Sequence, residues 1–286
     1  GMLKNEELAT ELVTQCLREV GFEYDKLTAS KRRLLRSPLH LSLWFQARPT
    51  SNSPVRWDST TGLMRVFLNS RLRAIQDAGI ESRRVNELFD RLLNHMERYG
   101  TVHAPTRIVD DDPILRDHLQ SLGVIQVGPV GTSFAHQTFL EYQSARRTLD
   151  RVTNGGETVG SWVARSDQSL LMREPLRLVL TMLRDDSRQD YHQALRELLQ
   201  TRDGAIRPHL QLLVLRLIGE TSGPDSVERE LVCELVEMPK WRSPVLNAVA
   251  FRRHEWFEVL DSRGMSASWL ASYDLSLVTS GLALCD

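Results

Sequence analysis

The chain has 286 residues, of which 41% are hydrophobic and 26% are charged, which is enough apolar material for two or three packed units. Its 36 basic and 37 acidic residues leave a net charge of -1, which excludes the strongly basic surface of a protein that binds polyanions along its whole length. Three widely spaced cysteines predict neither a disulfide framework nor a C-x-x-C metal site. No apolar run is long enough to cross a bilayer, so we expect a soluble cytoplasmic protein.

The first part of the chain, residues 1–46, is predicted to be helical. Apolar residues recur every three or four positions from 3 to 20, as on the buried face of an amphipathic helix. Further on, Pro38 separates two more helices, because the residue before a proline is disfavoured in the α conformation. Residues 47–60 are rich in Pro, Ser, Thr and Asn and lack any periodicity, so they predict a linker.

Residues 61–152 are predicted to form a winged-helix domain. The predicted elements are, in order, helices ending at Gly79 and Gly100, a helix over 113–122, a hairpin with the turn Gly128-Pro-Val-Gly131, and a helix beginning at Gln137 or Thr138. Acidic residues at 110–112 precede the helix that contains Pro113. They indicate stabilisation of a helix N-terminus rather than a metal site.

Residues 157–286 are predicted to form a HEAT-like helical array. Adjacent glycines at 155 and 156 mark the boundary before it, because glycine pairs rarely lie inside a helix. The predicted helices are 158–165, 168–184 with a break or kink at Pro175, 188–200, 205–219, 224–237, 242–251 and 253–261. Short polar breaks between them favour an α-solenoid, but an irregular helical bundle fits the same pattern. The last residues lack a polar capping helix, so we expect the native protein to continue beyond 286.

Two segments of this sequence resemble the NACHT-type STAND NTPases. The first fits the pattern F-x-H-x-[ST]-F-x-E-[YF]-x-A-A, which ends the winged-helix domain of that family. Its matching residues are Phe134, His136, Thr138, Phe139, Glu141, Tyr142 and Ala145, with Ser144 standing where alanine is usual. The second, Ser37-Pro-Leu-His-Leu-Ser-Leu-Trp44, is similar to the segment of the preceding helical domain. The likeness covers about residues 30 to 150.

The resemblance implies a regulatory role within a larger protein. It implies that His136 contacts the β-phosphate of bound ADP and that Pro38 contacts the adenine ring. The nucleotide-binding domain would precede residue 1, and residues 1–46 would be the end of the helical domain. Partner recognition by the helical array would release the ADP-bound off state and permit homo-oligomerisation, in a signalling and defence role. ADP or ATP would bind only in the longer protein, with none expected in this chain alone.

Other readings of the same residues remain open. The chain has no G-x-x-x-x-G-K-[ST] match, so we do not expect it to be an enzyme by itself. His136 could instead be bonded to backbone at the end of a strand, and Pro38 could simply separate two helices. A winged-helix DNA-binding regulator is a second hypothesis, although the helix after the hairpin offers only Arg146 and Arg147 at its far end, so nucleic acid is disfavoured. A helical-repeat scaffold without nucleotide is a third.

Overall fold

The computed structural model describes residues 8–47, 57, 59–200, 204–221, 223–250, 254–272 and 277–280. The described chain is mostly α-helical, as predicted. It divides into two compact units, Gly1–Ser144 and Ala145–Asp286. The division falls inside the helix that follows the hairpin. Most of the predicted linker, residues 48–56 and 58, lies outside the described residues, as do the last six residues of the chain. Within the described parts, every helix is too short or too polar to span a bilayer.

The helices of the first unit begin and end at local sequence signals. Thr28 and Ser59 cap helices, since their hydroxyls accept the N–H groups of Lys31 and Gly62, and Gly100 ends a helix in the left-handed conformation. The elements are α1 Thr10–Glu19, α2 Ala29–Leu35, α3 Pro38–Ala47, α4 Thr60–Asp77, α5 Ser82–Tyr99, α6 Arg107–Asp110, α7 Pro113–Ser121, β1 Ile125–Gly128, β2 Gly131–Phe134 and α8 Gln137–Asn154, which continues past the unit boundary.

The core of this unit is built from aromatic and aliphatic side chains on α3, α4 and α5. Trp44 is 2% exposed, and the Phe22 ring meets it edge-on at 4.8 Å between centroids. Trp57, inside the predicted linker, is buried as well and lies 6.1 Å from Trp44. At least this part of the linker is therefore packed against the core.

The hairpin predicted around the Gly128–Gly131 turn is present. β1 and β2 pair antiparallel with Ile125 opposite Phe134. Ala104, between α5 and α6, adds a second pairing to β2, because its N–H donates to Thr132 O at 2.8 Å and its carbonyl accepts from Thr132 N at 2.7 Å. A β-carbon on Gly131 would collide with the Ala104 carbonyl, so only glycine permits this close approach.

The acidic run before α7 caps that helix, as the sequence indicates. Asp112 accepts the N–H of Leu115 and pairs with Arg84 at 2.6 Å. Burial alone raises the pKa of Asp112. The hydrogen bonds from Arg84 and Leu115, together with the charges of Arg84 and Arg91, outweigh burial and lower that pKa below its usual range.

We expect Asp112 to make this chain sensitive to acid. Because its folded-state pKa lies below the unfolded value of about 3.9, the carboxylate stabilises the fold above that pH and loses this contribution as the pH falls through the folded pKa. Asp112→Asn keeps a capping oxygen but should lose less stability between about pH 5 and pH 2 than wild type does. Urea unfolding at several pH values measures this. Asp111→Asn, with a side chain 70% exposed, is the control, and equal pH dependence in Asp112→Asn and wild type would contradict the assignment.

The second unit is a succession of helices in which neighbours along the chain pack together, for example α10 on α11 and α13 on α14. The helices are α9 Val159–Arg165, α10 Arg173–Asp186, α11 Arg188–Leu199, α12 Pro208–Glu220, α13 Ser226–Glu237, α14 Pro239–Val245, α15 His254–Ser262 and α16 Met265–Leu270. The predicted break or kink at Pro175 is wrong. α10 begins at Arg173 after a 3-10 turn, so Pro175 lies in the first helical turn, where its missing N–H has no partner to lose.

A π-helical segment, Leu246–Ala250, continues α14 where the sequence predicts an ordinary helix over 242–251. Pro244 lies just before it, inside α14. α12 packs directly on this segment, since a β-carbon built on Gly219 would lie 2.9 Å from Val249 Cα and closer still to the Ala248 carbonyl.

A buried ion pair joins α10 to α13. The Glu228 side chain is fully buried, and it accepts from Arg184 Nε at 2.9 Å. Glu228 also accepts the Asp225 N–H at 2.8 Å while Asp225 accepts the Glu228 N–H at 2.9 Å, which forms a capping box at the start of α13. His192 of α11 contacts Asp225 with 2.8 Å between Nε2 and Oδ2. Three helices therefore meet at one helix N-terminus.

Gln168 joins two loops of this unit through its side-chain amide. Its Nε2 donates to Ala205 O at 2.8 Å, and its Oε1 accepts the Arg207 N–H at 2.6 Å. Its backbone has a φ of 49°, the left-handed region that non-glycine residues seldom occupy. The two hydrogen bonds hold this conformation in place.

Gly219→Ala should destabilise the second unit by about 1–3 kcal/mol, because the added methyl group collides with backbone atoms that cannot move aside. Helix propensity alone predicts the opposite sign, a gain of about 1 kcal/mol, so the direction of the change is decisive. Chemical denaturation measures it. Arg216→Ala, at an exposed position one turn earlier, is the control, and a stabilised Gly219→Ala would rule out the close packing.

Candidate functional site

The candidate site is the first turn of α8, where the motif histidine lies. After β2, the Ala135 N–H donates to Val124 O at 3.0 Å, and the chain turns at His136. α8 then begins at Gln137, and the Phe139 N–H donates to His136 O at 2.9 Å. This geometry places His136 at the position before the first helical residue, and its side chain is exposed.

The imidazole of His136 caps α8. Its Nδ1 accepts the Thr138 N–H at 3.2 Å and lies 3.1 Å from the Thr138 hydroxyl. An Nδ1 that accepts a backbone N–H carries no proton, so the proton of the neutral ring is on Nε2. Among the residues that the structure describes, Nε2 has no hydrogen-bond partner. The structure therefore contains the backbone-bonded histidine and leaves its second nitrogen available as a donor.

Two stacked phenylalanines lie beneath this turn. Phe139, 3% exposed, stacks on Phe67 of α4 with 5.0 Å between centroids and 13° between planes. The His136 ring stands edge-on to Phe139 at 6.4 Å. The Arg71 guanidinium lies over the Phe67 ring, with 4.7 Å between its Cζ and the ring centroid.

Other residues of the motif segment orient or pack α8. Gln137 Nε2 donates to Glu141 Oε1 at 2.8 Å along the helix surface. Tyr142 is buried. Ser144, the one departure from the motif, donates its hydroxyl to Glu97 Oε1 of α5 at 3.3 Å, a bond that the usual alanine could not make.

Pro38 is the exposed first residue of α3 and breaks the path from α2. It performs the helix-separating role that its residue type predicts. In the described part of the chain, no hydrogen bond or ring contact joins Pro38 to His136.

Sequence reasoning missed Phe67 and Arg71 as parts of this site. The sequence pattern gives neither residue a functional role. A signal was present, because residues four apart lie above one another on a helix surface, so Arg71 covers Phe67. Which ring stacks on Phe67 from another helix depends on the tertiary fold.

Metal chemistry has little support in the described ranges, which contain no group of three or more His, Cys, Asp and Glu side chains arranged around a common point. Cys16 and Cys233 are free thiols. Burial raises the pKa of Cys233, which keeps that thiol protonated. The candidate site offers hydrogen bonding through the His136 imidazole.

Comparison of the chain with protein-family models, with curated proteins and with solved structures found no match. The interpretation of the site consequently rests on the residues and contacts described above.

His136→Ala should destabilise the first unit by about 0.5–2 kcal/mol, because the Thr138 N–H loses its acceptor. His136→Asn should retain most of the stability, since asparagine is a strong capping residue. Thermal unfolding of both variants checks this, with His103→Ala, at an exposed position, as the control. Equal losses in the alanine and asparagine variants would show that the ring is not a cap.

Proposed function

We propose that this chain is the regulatory and sensor portion of a STAND/NACHT signalling NTPase. It would hold an upstream nucleotide-binding domain in its ADP-bound off state and couple partner recognition to oligomerisation. One observation carries the proposal. The Nδ1 atom of the exposed motif histidine accepts a backbone N–H at the start of α8. Its Nε2–H has no acceptor among the described residues and can therefore donate to a ligand.

The order of elements in the first unit supports this proposal. α5 is followed by the paired residue Ala104, the short α6, α7 and the β1–β2 hairpin. Helix, strand, helix, helix and a two-stranded wing is the order of a winged helix. In the NACHT family the motif histidine follows such a wing, which is the place of His136 here.

The proposed chemistry is a hydrogen bond from imidazole to phosphate. A neutral Nε2–H donates to a phosphate oxygen, and the anionic acceptor strengthens that bond. ADP held between His136 and an upstream P-loop would join two domains through one ligand, which favours the closed state. A partner that binds only the open form would then shift the population.

The second unit is the proposed recognition surface. Its helices follow one another with short breaks and pack on their neighbours, which suits a HEAT-like array whose exposed face binds a protein or another ligand. Side chains on this face would bind the partner. The contacts of Asp225 and Glu228 with His192 and Arg184 would keep α10, α11 and α13 in the same arrangement when a partner binds.

The alternative, a winged-helix DNA-binding regulator, has less support. The sequence suggests the helix after the hairpin, α8, as the recognition helix, but in winged-helix proteins the helix before the wing enters the major groove, and here that helix is α7. Its arginine, Arg116, is engaged by Asp110 at 2.7 Å and by Asp117 at 2.8 Å. Ile114 on the same helix is 63% exposed. The one arginine of α7 is thus already paired with two carboxylates, which disfavours its contact with a phosphate backbone.

The proposal predicts that His136→Ala weakens ADP binding by the longer protein that includes the upstream domain. The loss of a hydrogen bond to a charged acceptor corresponds to about 1.5–3 kcal/mol, or about 10- to 150-fold in Kd. Calorimetry on the wild type and the variant measures it, with His103→Ala as the control. Unchanged affinity in His136→Ala, or an upstream sequence without a P-loop, would favour the third possibility, a helical scaffold without nucleotide.

A further inference from the structure

A row of side chains connects the C-terminal end of α3 to the histidine at the start of α8. The row consists of Gln46 on α3, Arg71 and Phe67 on α4, and Phe139 and His136 at α8. Each member contacts the next, and all five belong to the first compact unit. A displacement of α3 therefore has a physical route to the first turn of α8.

Arg71 is the polar member that ties α3 to this row. Its Nη2 donates to Gln46 Oε1 at 2.9 Å, and its guanidinium stacks over Phe67. Its Nε is buried without a hydrogen-bond partner, and desolvation lowers its pKa. Within the described chain it has no carboxylate partner. The cation is consequently held by one amide oxygen and one aromatic face, an arrangement that a small shift of α3 can break.

The two phenylalanine rings couple the position of α4 to the position of the first turn of α8 through packing. Phe67 is 1% exposed and Phe139 is 3% exposed, so neither ring can move without leaving a void or a clash. Phe139 also donates its backbone N–H to His136 O. A rotation of the Phe139 ring and its helical turn therefore changes the direction in which the His136 ring points.

We propose that Arg71 is a positioning residue that couples the placement of α3 to the orientation of His136. This inference deepens the proposed function and rests on it for its consequence. With Arg71 in place, His136 keeps Nδ1 on the Thr138 N–H and presents Nε2–H outward. When α3 moves and Arg71 leaves Gln46 and Phe67, the first turn of α8 loosens and that donor loses its fixed direction. The affinity for phosphate would thus respond to the helical segment that precedes the hairpin.

The test uses nitrogen NMR of the His136 imidazole in the full 286-residue chain, because the ring nitrogens report the tautomer directly. Wild type should show a predominant Nε2–H tautomer. Arg71→Met, which keeps a long apolar stem, and Phe67→Leu, which removes the stacking ring, should both shift the His136 signals toward a mixture of tautomers. Arg73→Met, two residues away on the exposed face of α4, should leave them unchanged. Arg71→Lys keeps the charge without the planar stack and should give an intermediate shift.

Unchanged His136 signals in Arg71→Met would overturn the inference, as would equal shifts in Arg71→Met and Arg73→Met. If Phe67→Leu unfolds the chain, the Arg71 variants still test whether Arg71 positions His136. The outcome is independent of the nucleotide experiment, since the tautomer is measured without ADP. A shifted tautomer in Arg71→Met with unchanged ADP affinity in His136→Ala would retain the coupling and refute the phosphate role.

Discussion

The stack of Phe67 on Phe139 joins α4 to the first turn of α8, and the geometry at His136 depends on it. An offset aromatic pair contributes about 0.5–1.5 kcal/mol beyond the area it buries. Its greater effect here is directional, because the two stacked rings are both buried and close packing restricts the helical turn above them. A histidine that begins a helix on such a base has a defined orientation even though its own ring is exposed. The site is therefore an exposed donor on a rigid support.

The elements whose limits are set by a single residue could be predicted from the sequence. Gly100 ends α5, and the pair at 155 and 156 follows the end of α8, because glycine adopts conformations that other residues avoid. The hairpin and the capping role of Asp112 follow from equally local chemistry. At the site, the position of His136 between a strand and a helix could be predicted as well, because the hairpin turn and the start of α8 are both local signals in the sequence.

Features that depend on contacts between distant residues could not be predicted. Pro175 suggests a kink until the start of α10 is known, since the same residue is favourable in a first turn. The π-helical segment next to Gly219 and the helix α16 have no distinctive local pattern. Nor does any spacing show that Glu228, a charged residue, is buried against Arg184. A buried pair of this kind is costly to desolvate, and it is tolerated here because each carboxylate oxygen also has a defined donor.

The amide of Gln168 has a consequence for how this chain can vary. The loop carbonyl at Ala205 needs a donor and the N–H of Arg207 needs an acceptor, and the planar amide of Gln168 supplies both. A carboxylate at this position could pair only with the Arg207 N–H and an ammonium only with the Ala205 carbonyl, so either would leave one of these two backbone groups unpaired. Related chains that keep this contact should therefore carry Gln168 unchanged, or change it together with residues 205–207, so that these positions covary.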